Sequence, residues 1–234
     1  MGSKIFPSTD HADEDGLLVL GGGLYTEVLL DAYSNGIFPW PLNRKVLAWF
    51  APPNRCILKT DSFHTSRSFI REIKKVKWQV RFNTNFESVI QLCATRGGKG
   101  KPTGTWITPA IVKAYSELHR MGVSHSVECY NESTLIGGLY GISIGGMFAA
   151  ESMFHIESEA SKVCVFALAQ TLHQQGIKWL DAQVMNPFLA KLGFEEIPRE
   201  KFEGLLSTAL KASKFLPPVT PIEVSALSKL VNNL

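Results

Sequence analysis

The sequence predicts an α+β protein whose main body is a mixed β-sheet with helices on both sides. Three β-like segments follow one another at 124–130, 135–142 and 146–151. A long helical segment, 159–174, then leads into a fourth β-like segment, KWLDAQV at 178–184. Consecutive strands followed by a helical crossover into another strand are typical of a mixed sheet.

The first fifty or so residues differ from the rest, because turns and aromatic residues are frequent there, as in GIFPW and WFAPP. The spacing of apolar residues predicts one short helix in this region, Leu24–Ser34. Two consecutive prolines, Pro52 and Pro53, then mark a change of pattern. We therefore predict a small N-terminal domain, 1–53, followed by a larger domain, 54–234.

The other elements follow from apolar periodicity and from signals at their ends. Thr108 followed by Pro109 is a typical helix start, a capping residue before a first-turn proline. We expect Asn83 or Thr84 to cap a helix as well, and Gly193 to end a short one. The predicted helices are 66–75, 86–95, 109–120, 187–192 and 199–212, with one further strand at 78–82.

Composition argues against several protein classes. The 234 residues are 45% hydrophobic and 19% charged, which predicts a folded chain with a substantial core. No apolar run approaches the ~20 residues of a membrane helix, and the N-terminus lacks an apolar signal segment. The four cysteines are far apart, which is typical of reduced structural thiols. We expect a cytoplasmic monomer with no membrane partner.

Two kinds of site are disfavoured by the motifs. The segment GGKGKPTG at 97–104 does not match a phosphate-binding P-loop, and no predicted strand leads directly into it, so we expect a basic loop there. The six histidines form no H-x-x-x-H pair and the cysteines form no C-x-x-C pair. We therefore predict that the protein has no metal site.

Isolated acids lie on two of the predicted strands. Asp181 and Gln183 are two residues apart in KWLDAQV, so they share one face of a strand. Glu151 is the only charged residue between Gly145 and Phe154. An unpaired buried carboxylate is costly, so each acid either lies in a polar cleft or is fully hydrogen-bonded. Clefts in α/β sheets open at strand ends, which makes both acids candidate site residues.

A basic stripe covers residues 67–81, where six cations stand against one acid and two aromatic residues, Phe69 and Trp78, are interleaved. Such a stripe either neutralises nucleic-acid phosphates or is a solvated face, and its charge alone does not choose between them. The candidate phosphate contacts are Arg67, Arg71, Lys74 and Lys75.

Nine segments form an ordered set from about residue 5 to 205. They are DEDGLLVLGGGL, AYSNGIFPW, WFAPPNR, GTWIT, SHSVE, GGLYGISIGGMFAAESMF, EASK, LDAQV and LGFEEIPR. This set resembles the leucyl/phenylalanyl-tRNA–protein transferase family, with GIFPW, GTWIT, ESMF and D-x-Q carrying most of the resemblance. The chain departs from the family pattern at Gly23, within WFAP, and at 185–188, where the family commonly has a polar, histidine-containing segment.

The resemblance implies a fold and a reaction. The larger domain would be similar to the GNAT acyltransferases, with the small N-terminal domain in front. The implied enzyme moves Leu or Phe, and less well Met, from aminoacyl-tRNA to the N-terminal Arg or Lys of a protein. The product would be marked for degradation by the N-end rule pathway. No acetyl-CoA, ATP or other cofactor is implied.

The resemblance also implies that Asp181 and Gln183 are the catalytic pair. An ordinary aspartate is poorly matched to take the proton of an amine, so we expect Asp181 to orient and polarise Gln183. The carbonyl oxygen of Gln183 would then hold the attacking amine against the ester, and positioning would supply most of the rate. Glu151, together with Asp181, would attract the cationic acceptor.

Further substrate-binding residues are implied in the same way. Trp40 and Trp106 would stack around the terminal adenosine of the tRNA. Leu139, Phe148 and Leu168 would line an apolar pocket for the donor side chain.

Two alternatives stay open at this point. One is a GNAT-type acyltransferase that uses acyl-CoA, although the expected Q/R-x-x-G-x-G/A loop is not found in the right place. The other is a non-catalytic module that binds RNA or an N-degron, which would need the basic stripe and the tryptophans but not Asp181 or Gln183.

Overall fold

The computed structural model describes residues 5–43, 45–95 and 105–230, with side chains up to 228. The glycine-rich segment 97–104 lies outside the described residues. Within them, no helix is both long enough and apolar enough to cross a membrane.

Two β-sheets organise the chain. The small one is antiparallel and belongs to the N-terminal region, with its second strand in chain order at one edge and its third in the middle. Its strands are β1 Leu17–Leu20, β2 Phe38–Pro39 and β3 Ala48–Phe50. The helix α1, Thr26–Ser34, connects β1 to β2.

The large sheet has eight strands and contains both parallel and antiparallel neighbours. Its strands are β4 Asn54–Lys59, β5 Trp78–Phe82, β6 Ser124–Asn131, β7 Thr134–Ile144, β8 Met147–His155, β9 Trp179–Gln183, β10 Glu195–Pro198 and β11 Ile222–Glu223. They lie in the order β10-β4-β9-β8-β7-β6-β5-β11. Every neighbouring pair is antiparallel except β8 and β9, which are joined by the helical crossover.

Helices cover both faces of this sheet. They are α2 Arg67–Ile73, α3 Phe86–Thr95, α4 Pro109–Arg120, α5 Ala160–Gln174, α6 Pro187–Lys191, α7 Arg199–Ala209 and α8 Val224–Leu230. One apolar cluster joins α1, α3, α4 and α7 to one face, and the other joins α2, α5, α6 and α8 to the opposite face. The mixed sheet with helices on both sides is thus confirmed.

The N-terminal region shares its core with the large sheet. Leu29 and Tyr33 of α1 belong to the same buried cluster as Tyr115 of α4 and Tyr140 of β7. The small sheet ends at Phe50 and the large one begins at Asn54, so the predicted boundary falls between the two sheets. The apolar packing, however, continues across it.

One predicted helix start is confirmed and another is wrong. The Thr108 side chain accepts a hydrogen bond from the Ile111 amide, with Pro109 in the first turn, as expected for α4. Helix α3, in contrast, is capped by Asn85, whose side chain accepts from the Ser88 amide, and not by Asn83 or Thr84. The buried Glu128 of β6 adds a second acceptor for this helix start, at the Thr84 and Asn85 amides.

Other elements differ in extent or were not predicted. Strand β8 runs on to His155, past the predicted end at 151, whereas α2 and α7 are each shorter than predicted. Strands β4 and β10 were not predicted, and neither were β11 and α8 in the C-terminal segment.

Candidate active site

A cavity of about 390 Å³ lies beside the carboxyl ends of β8 and β9. These two strands are in parallel register only at Ala149 and Asp181. The residues that follow on both strands contribute to the cavity wall, Ala150–Met153 from β8 and Ala182–Val184 from the end of β9. The cavity therefore occupies the space where two adjacent parallel strands part, the usual position of binding sites in sheets of this kind.

Most of the cavity wall is apolar. Leu139 of β7, Met153 of β8 and Val165 of α5 contribute to it, together with Leu180 of β9 and Phe188 of α6. The polar side chains are few, namely Glu151, Ser152, Gln183 and Asn186. An apolar chamber with a small number of placed polar groups is the usual form of a small-ligand site.

Two tryptophans also line the cavity. The rings of Trp40 and Trp106 are stacked, with centroids 5.3 Å apart and an interplanar angle of 15°. Trp40 comes from the N-terminal region, where its amide donates to the Ala48 carbonyl of β3, and its side chain is 40% exposed. An indole face at the cavity is therefore accessible to a planar ligand.

Asp181 is buried beneath this cavity and is held by Arg55 of β4. Arg55 Nε donates to Asp181 Oδ1 at 2.8 Å, and Nη2 donates to Oδ2 at 2.6 Å, a bidentate ion pair with both side chains almost fully buried. The Nη1 atom of Arg55 donates to the Gly36 carbonyl at 2.8 Å. The guanidinium also lies over the ring of Phe202, 4.5 Å from its centroid. The position of Asp181 is thus fixed by an arginine that is itself held in place.

Gln183 has an unusual backbone conformation that depends on Asp181. Its φ is +58°, in the left-handed region, where a non-glycine residue is strained by roughly 1–2 kcal/mol. Asp181 Oδ1 accepts a hydrogen bond from the Gln183 amide at 2.9 Å and so stabilises this turn at the end of β9. Asp181 therefore orients Gln183 through the backbone. The expectation that it polarises the side-chain amide directly does not fit this geometry.

The side chain of Gln183 is held by Glu151. Gln183 Nε2 donates to Glu151 Oε1 at 3.1 Å. With the amide oriented in this way, the carbonyl oxygen of Gln183 accepts no hydrogen bond from the residues that the structure describes. It is the free acceptor of this site.

Glu151 is surrounded by neutral hydrogen-bond partners. Tyr115 donates to Glu151 Oε2 at 3.2 Å, and the hydroxyl of Tyr115 lies 2.5 Å from that of Tyr33. Burial raises the pKa of Glu151 to about 7, and the negative charge of Asp181 adds to this, while the two tyrosine hydroxyls and Arg55 oppose it. Glu151 therefore changes its charge near neutral pH.

The structure brings together five of the residues predicted for the site and separates the others. Trp40, Trp106, Leu139, Glu151 and Gln183 all line the cavity, and Asp181 is buried behind Gln183, from whose amide it accepts a hydrogen bond.

Phe148 and Leu168 are not part of the cavity wall. Both are fully buried in the core, where Phe148 packs edge-on against Phe215. Of the three residues predicted to line the donor pocket, Leu139 alone lines the cavity. Met153 and Val165 line it as well, and the sequence did not indicate them.

The basic stripe lies on and after α2, and none of its four candidate residues lines the cavity. Arg67, Arg71, Lys74 and Lys75 are all exposed, and none of them forms an ion pair with any residue in the described ranges. The interleaved Phe69 and Trp78 are buried in the core and do not present their rings to solvent.

Sequence reasoning missed Arg55, Tyr33 and Tyr115. Arg55 carried only a weak signal, because it comes directly before the apolar run Cys56–Leu58 and a buried cation requires a buried anion. The two tyrosines carried none, since a tyrosine on the apolar face of a helix is ordinarily part of a core. Among the described residues, no three side chains of the metal-binding types form a cluster.

Comparisons with known proteins give a consistent family. The family model described as leucyl/phenylalanyl-tRNA protein transferase matches residues 57–207, and the model of its N-terminal domain matches residues 22–53. A leucyl/phenylalanyl-tRNA–protein transferase of Xanthomonas campestris pv. campestris is 44% identical, over 84% of this chain and 80% of its own. Those of Maridesulfovibrio salexigens and Syntrophotalea carbinolica are 45% and 42% identical, over 88% and 92% of this chain and 86% and 93% of theirs.

Solved structures give only distant matches. A protein of unknown function from Staphylococcus epidermidis has a TM-score of 0.42 at 8% identity, covering 78% of this chain and 68% of its own. L-PGS from Bacillus licheniformis has a TM-score of 0.40 at 12% identity, covering 73% and 54%. Such scores carry no argument about fold or function. The family models and the relatives do: this chain is a transferase and belongs to the leucyl/phenylalanyl-tRNA–protein transferase family.

Proposed function

We propose that the protein transfers Leu or Phe, and less well Met, from aminoacyl-tRNA to the N-terminal Arg or Lys of an acceptor protein. The observation that carries this proposal is the composition of the cavity, apolar in its body, with an amide and a carboxylate at one end and two stacked tryptophans in its wall. The family supports an aminoacyl-tRNA donor and a protein acceptor.

The donor side chain occupies the apolar part of the cavity in this proposal. Burying a Leu side chain against Leu139, Met153 and Val165 contributes about 1.5–3 kcal/mol. A charged donor side chain would lose its hydration there without gaining a partner. A smaller apolar donor such as Val would be disfavoured only by about 1–3 kcal/mol, so we expect it to react weakly.

The terminal adenosine of the donor stacks on the tryptophans. Trp40 and Trp106 offer a half-exposed indole surface, and stacking of a base on such a surface is worth roughly 1–3 kcal/mol. This contact would anchor the ester bond beside the polar end of the cavity, whichever amino acid the tRNA carries.

The reaction is attack of the acceptor amine on the ester. The N–C bond forms while the bond from the carbonyl carbon to the ribose oxygen breaks, and one proton passes from the nitrogen to that oxygen. An α-amino group with a pKa of about 7.7–8 is partly uncharged at neutral pH, so a strong base is unnecessary. The free carbonyl oxygen of Gln183 holds the amine, and Glu151 faces its cationic side chain.

The body of the tRNA would contact the exposed cations of α2 and the residues after it. Arg67, Arg71, Lys74 and Lys75 have no anionic partner within the described ranges, so their charge is available to phosphates.

Three further points belong to the same proposal. The larger domain is GNAT-like, which the parting of two parallel strands at the cavity supports. The protein works as a cytoplasmic monomer. Its product, a protein that begins with Leu or Phe, is a substrate of the N-end rule pathway.

A direct transfer assay tests the proposal. The protein is incubated with Leu-tRNA labelled in the amino acid and with two acceptor proteins that differ only in beginning with Arg or with Glu. We expect label in the Arg acceptor alone, with Phe-tRNA similar, Met-tRNA weaker and Asp-tRNA inert. Binding of the tRNA without any transfer would favour a non-catalytic binding module, and transfer from acyl-CoA would favour the other alternative.

A further inference from the structure

The hydroxyl chain behind Glu151 connects the cavity to the N-terminal region. Tyr33 is on α1 and Tyr115 is on α4, and both are essentially fully buried. Their hydroxyls are 2.5 Å apart, and Tyr115 is 3.2 Å from Glu151 Oε2. Glu151, in turn, contacts Gln183 through its other oxygen. A continuous line of hydrogen bonds thus runs from α1 to the reactive end of the cavity.

The direction of the protons along this line follows from simple counting. Each tyrosine hydroxyl has one proton to donate. Tyr115 gives its proton to Glu151, so the proton between the two tyrosines must come from Tyr33. Burial raises the pKa of both tyrosines well above its usual value, which keeps both hydroxyls protonated over the working pH range. The chain therefore donates toward Glu151 and stabilises its carboxylate form.

We propose that Tyr33 and Tyr115 are positioning residues that keep Glu151 ionised and correctly oriented during transfer, so that the N-terminal region takes part in the reaction through Tyr33. This inference rests on the proposed function, because it requires Glu151 to work as a carboxylate beside the acceptor amine. Without the two hydroxyls, the buried carboxyl would hold its proton to higher pH and would lose its attraction for the cationic acceptor.

The remaining groups around Glu151 do not replace this chain. Asp181 is negative and favours the protonated form of Glu151, and Arg55, which opposes it, is fully engaged with Asp181 and Gly36. The titratable or charged neighbours are Tyr33, Arg55, Tyr115, Tyr140 and Asp181, with Cys93 beyond Tyr140.

Tyr140 provides a matched control. Its ring packs edge-on against Tyr115 at 5.5 Å and is equally buried, but its hydroxyl has no hydrogen-bond partner among the described residues. Tyr140→Phe therefore removes a buried hydroxyl from the same cluster without shortening the chain to Glu151.

The test compares the pH dependence of transfer in wild type, Tyr115→Phe, Tyr33→Phe and Tyr140→Phe with one acceptor, so that the titration of the acceptor amine is common to all. On the acidic side of the profile, the pH at which transfer reaches half its maximum should be about one unit higher in Tyr115→Phe. Loss of a hydrogen bond to a charged carboxylate raises the pKa of that group by about this amount. Transfer at pH 7 would then fall about fivefold. Tyr33→Phe should show a shift in the same direction that is at least as large, because the Tyr33 hydroxyl lowers the pKa of Glu151 more than the Tyr115 hydroxyl does. Tyr140→Phe should show none.

A second measurement needs no substrate. The pKa of Glu151 in the folded protein is about 7, above its usual 4.5, so its contribution to stability is present below about pH 4.5, declines as the pH rises and is gone above about pH 7. The difference in unfolding free energy between wild type and Glu151→Gln traces this decline. In the Tyr115→Phe background, the decline should level off about one pH unit higher.

The two readouts separate the possible failures. If wild type transfers nothing but the stability curve shifts as expected, the proposed function fails and the hydroxyl chain stands. If transfer is observed and neither curve moves in Tyr115→Phe, the inference is overturned and the tyrosines are only packing residues. Equal shifts in Tyr115→Phe and Tyr140→Phe would also overturn it.

Discussion

The two parallel strands beside the cavity carry carboxylates in opposite settings. On β9, Asp181 is held by a bidentate arginine and does not line the cavity. On β8, Glu151 lines the cavity and is held by tyrosine hydroxyls and an amide. Burial raises the pKa of Glu151 to about 7 against the effect of its hydrogen-bond partners, whereas Asp181 has a cation in direct contact. We infer that Asp181 supports the structure of the site and that Glu151 and Gln183 contact the substrate.

The largest expected effect concerns the ion pair between Arg55 and Asp181. Arg55→Met leaves Asp181 buried without a partner, which should lower the unfolding free energy by about 3–5 kcal/mol in a denaturant titration. The double variant Arg55→Met/Asp181→Leu removes both charges and should recover most of that loss. A matched control is Lys59→Met on the same strand, which breaks only an exposed ion pair with Glu195 and should leave the denaturation midpoint nearly unchanged.

A failure of this prediction would contradict the contrast between Asp181 and Glu151. Equal stability losses in Arg55→Met and in the double variant would mean that the arginine matters for its packing on Phe202, and that Asp181 is not held by charge.

The next effect concerns the amide at the substrate. Gln183→Asn keeps an amide, and asparagine tolerates the left-handed backbone of this position. Its side chain is one methylene shorter, so its amide oxygen does not reach the position of the Gln183 oxygen. We expect kcat/KM for transfer to fall at least tenfold with tRNA binding unchanged, because misplacement of this size at a reacting centre is costly. Asp181→Asn, which disturbs the same turn, should also lose at least tenfold. Near-normal transfer by both variants would remove the pair from the mechanism.

A smaller effect distinguishes the cavity wall from the core behind it. Leu139→Ala enlarges the cavity, so transfer of Leu should fall relative to a bulkier donor such as Trp, by roughly tenfold or more in a competition assay. Phe148→Ala removes a core side chain and should lower stability while leaving the donor ranking intact. A changed ranking in Phe148→Ala alone would show that the donor reaches deeper than the cavity does.

The smallest effect concerns the exposed cations. Arg71→Glu/Lys74→Glu should weaken tRNA binding and reduce the slope of log K against log salt by about one to two. The control is Lys201→Glu on α7, an exposed lysine on the opposite face of the sheet. An unchanged slope in the double variant would mean that Arg71 and Lys74 are solvated and do not contact tRNA phosphates.

The sequence predicted those parts of the fold whose signals are local. The cap and proline of α4, the long apolar run of α5 and the strands from β6 to β9 are each readable within one short window. Strand β10 was missed because it has only four residues, and β4 was missed because its apolar run is only Cys56–Leu58, with Arg55 before it and Lys59 after it. The cap of α3 was misplaced because Glu128, 43 residues away from Asn85, shares the task.

The site was predictable to the same extent. Asp181, Gln183 and Glu151 were recognisable as polar residues inside apolar strands. Their partners were not, since Arg55 lies 126 residues from Asp181 and Tyr33 lies 82 residues from Tyr115. A pairing at such separations is decided by the order of strands in the sheet, which no local pattern contains.

The position of β4 has a consequence for how the protein is made. This strand is synthesised early, yet both of its neighbours, β9 and β10, are synthesised more than 100 residues later. Until residue 183 has left the ribosome, β4 exposes two unpaired edges and an arginine without its anion, and one edge stays unpaired until residue 198 has emerged. Long-range pairing of this kind slows folding and prolongs the lifetime of aggregation-prone intermediates. It also means that a nascent chain cannot possess a working site, because the last strand that anchors β4 completes the sheet only when most of the chain exists.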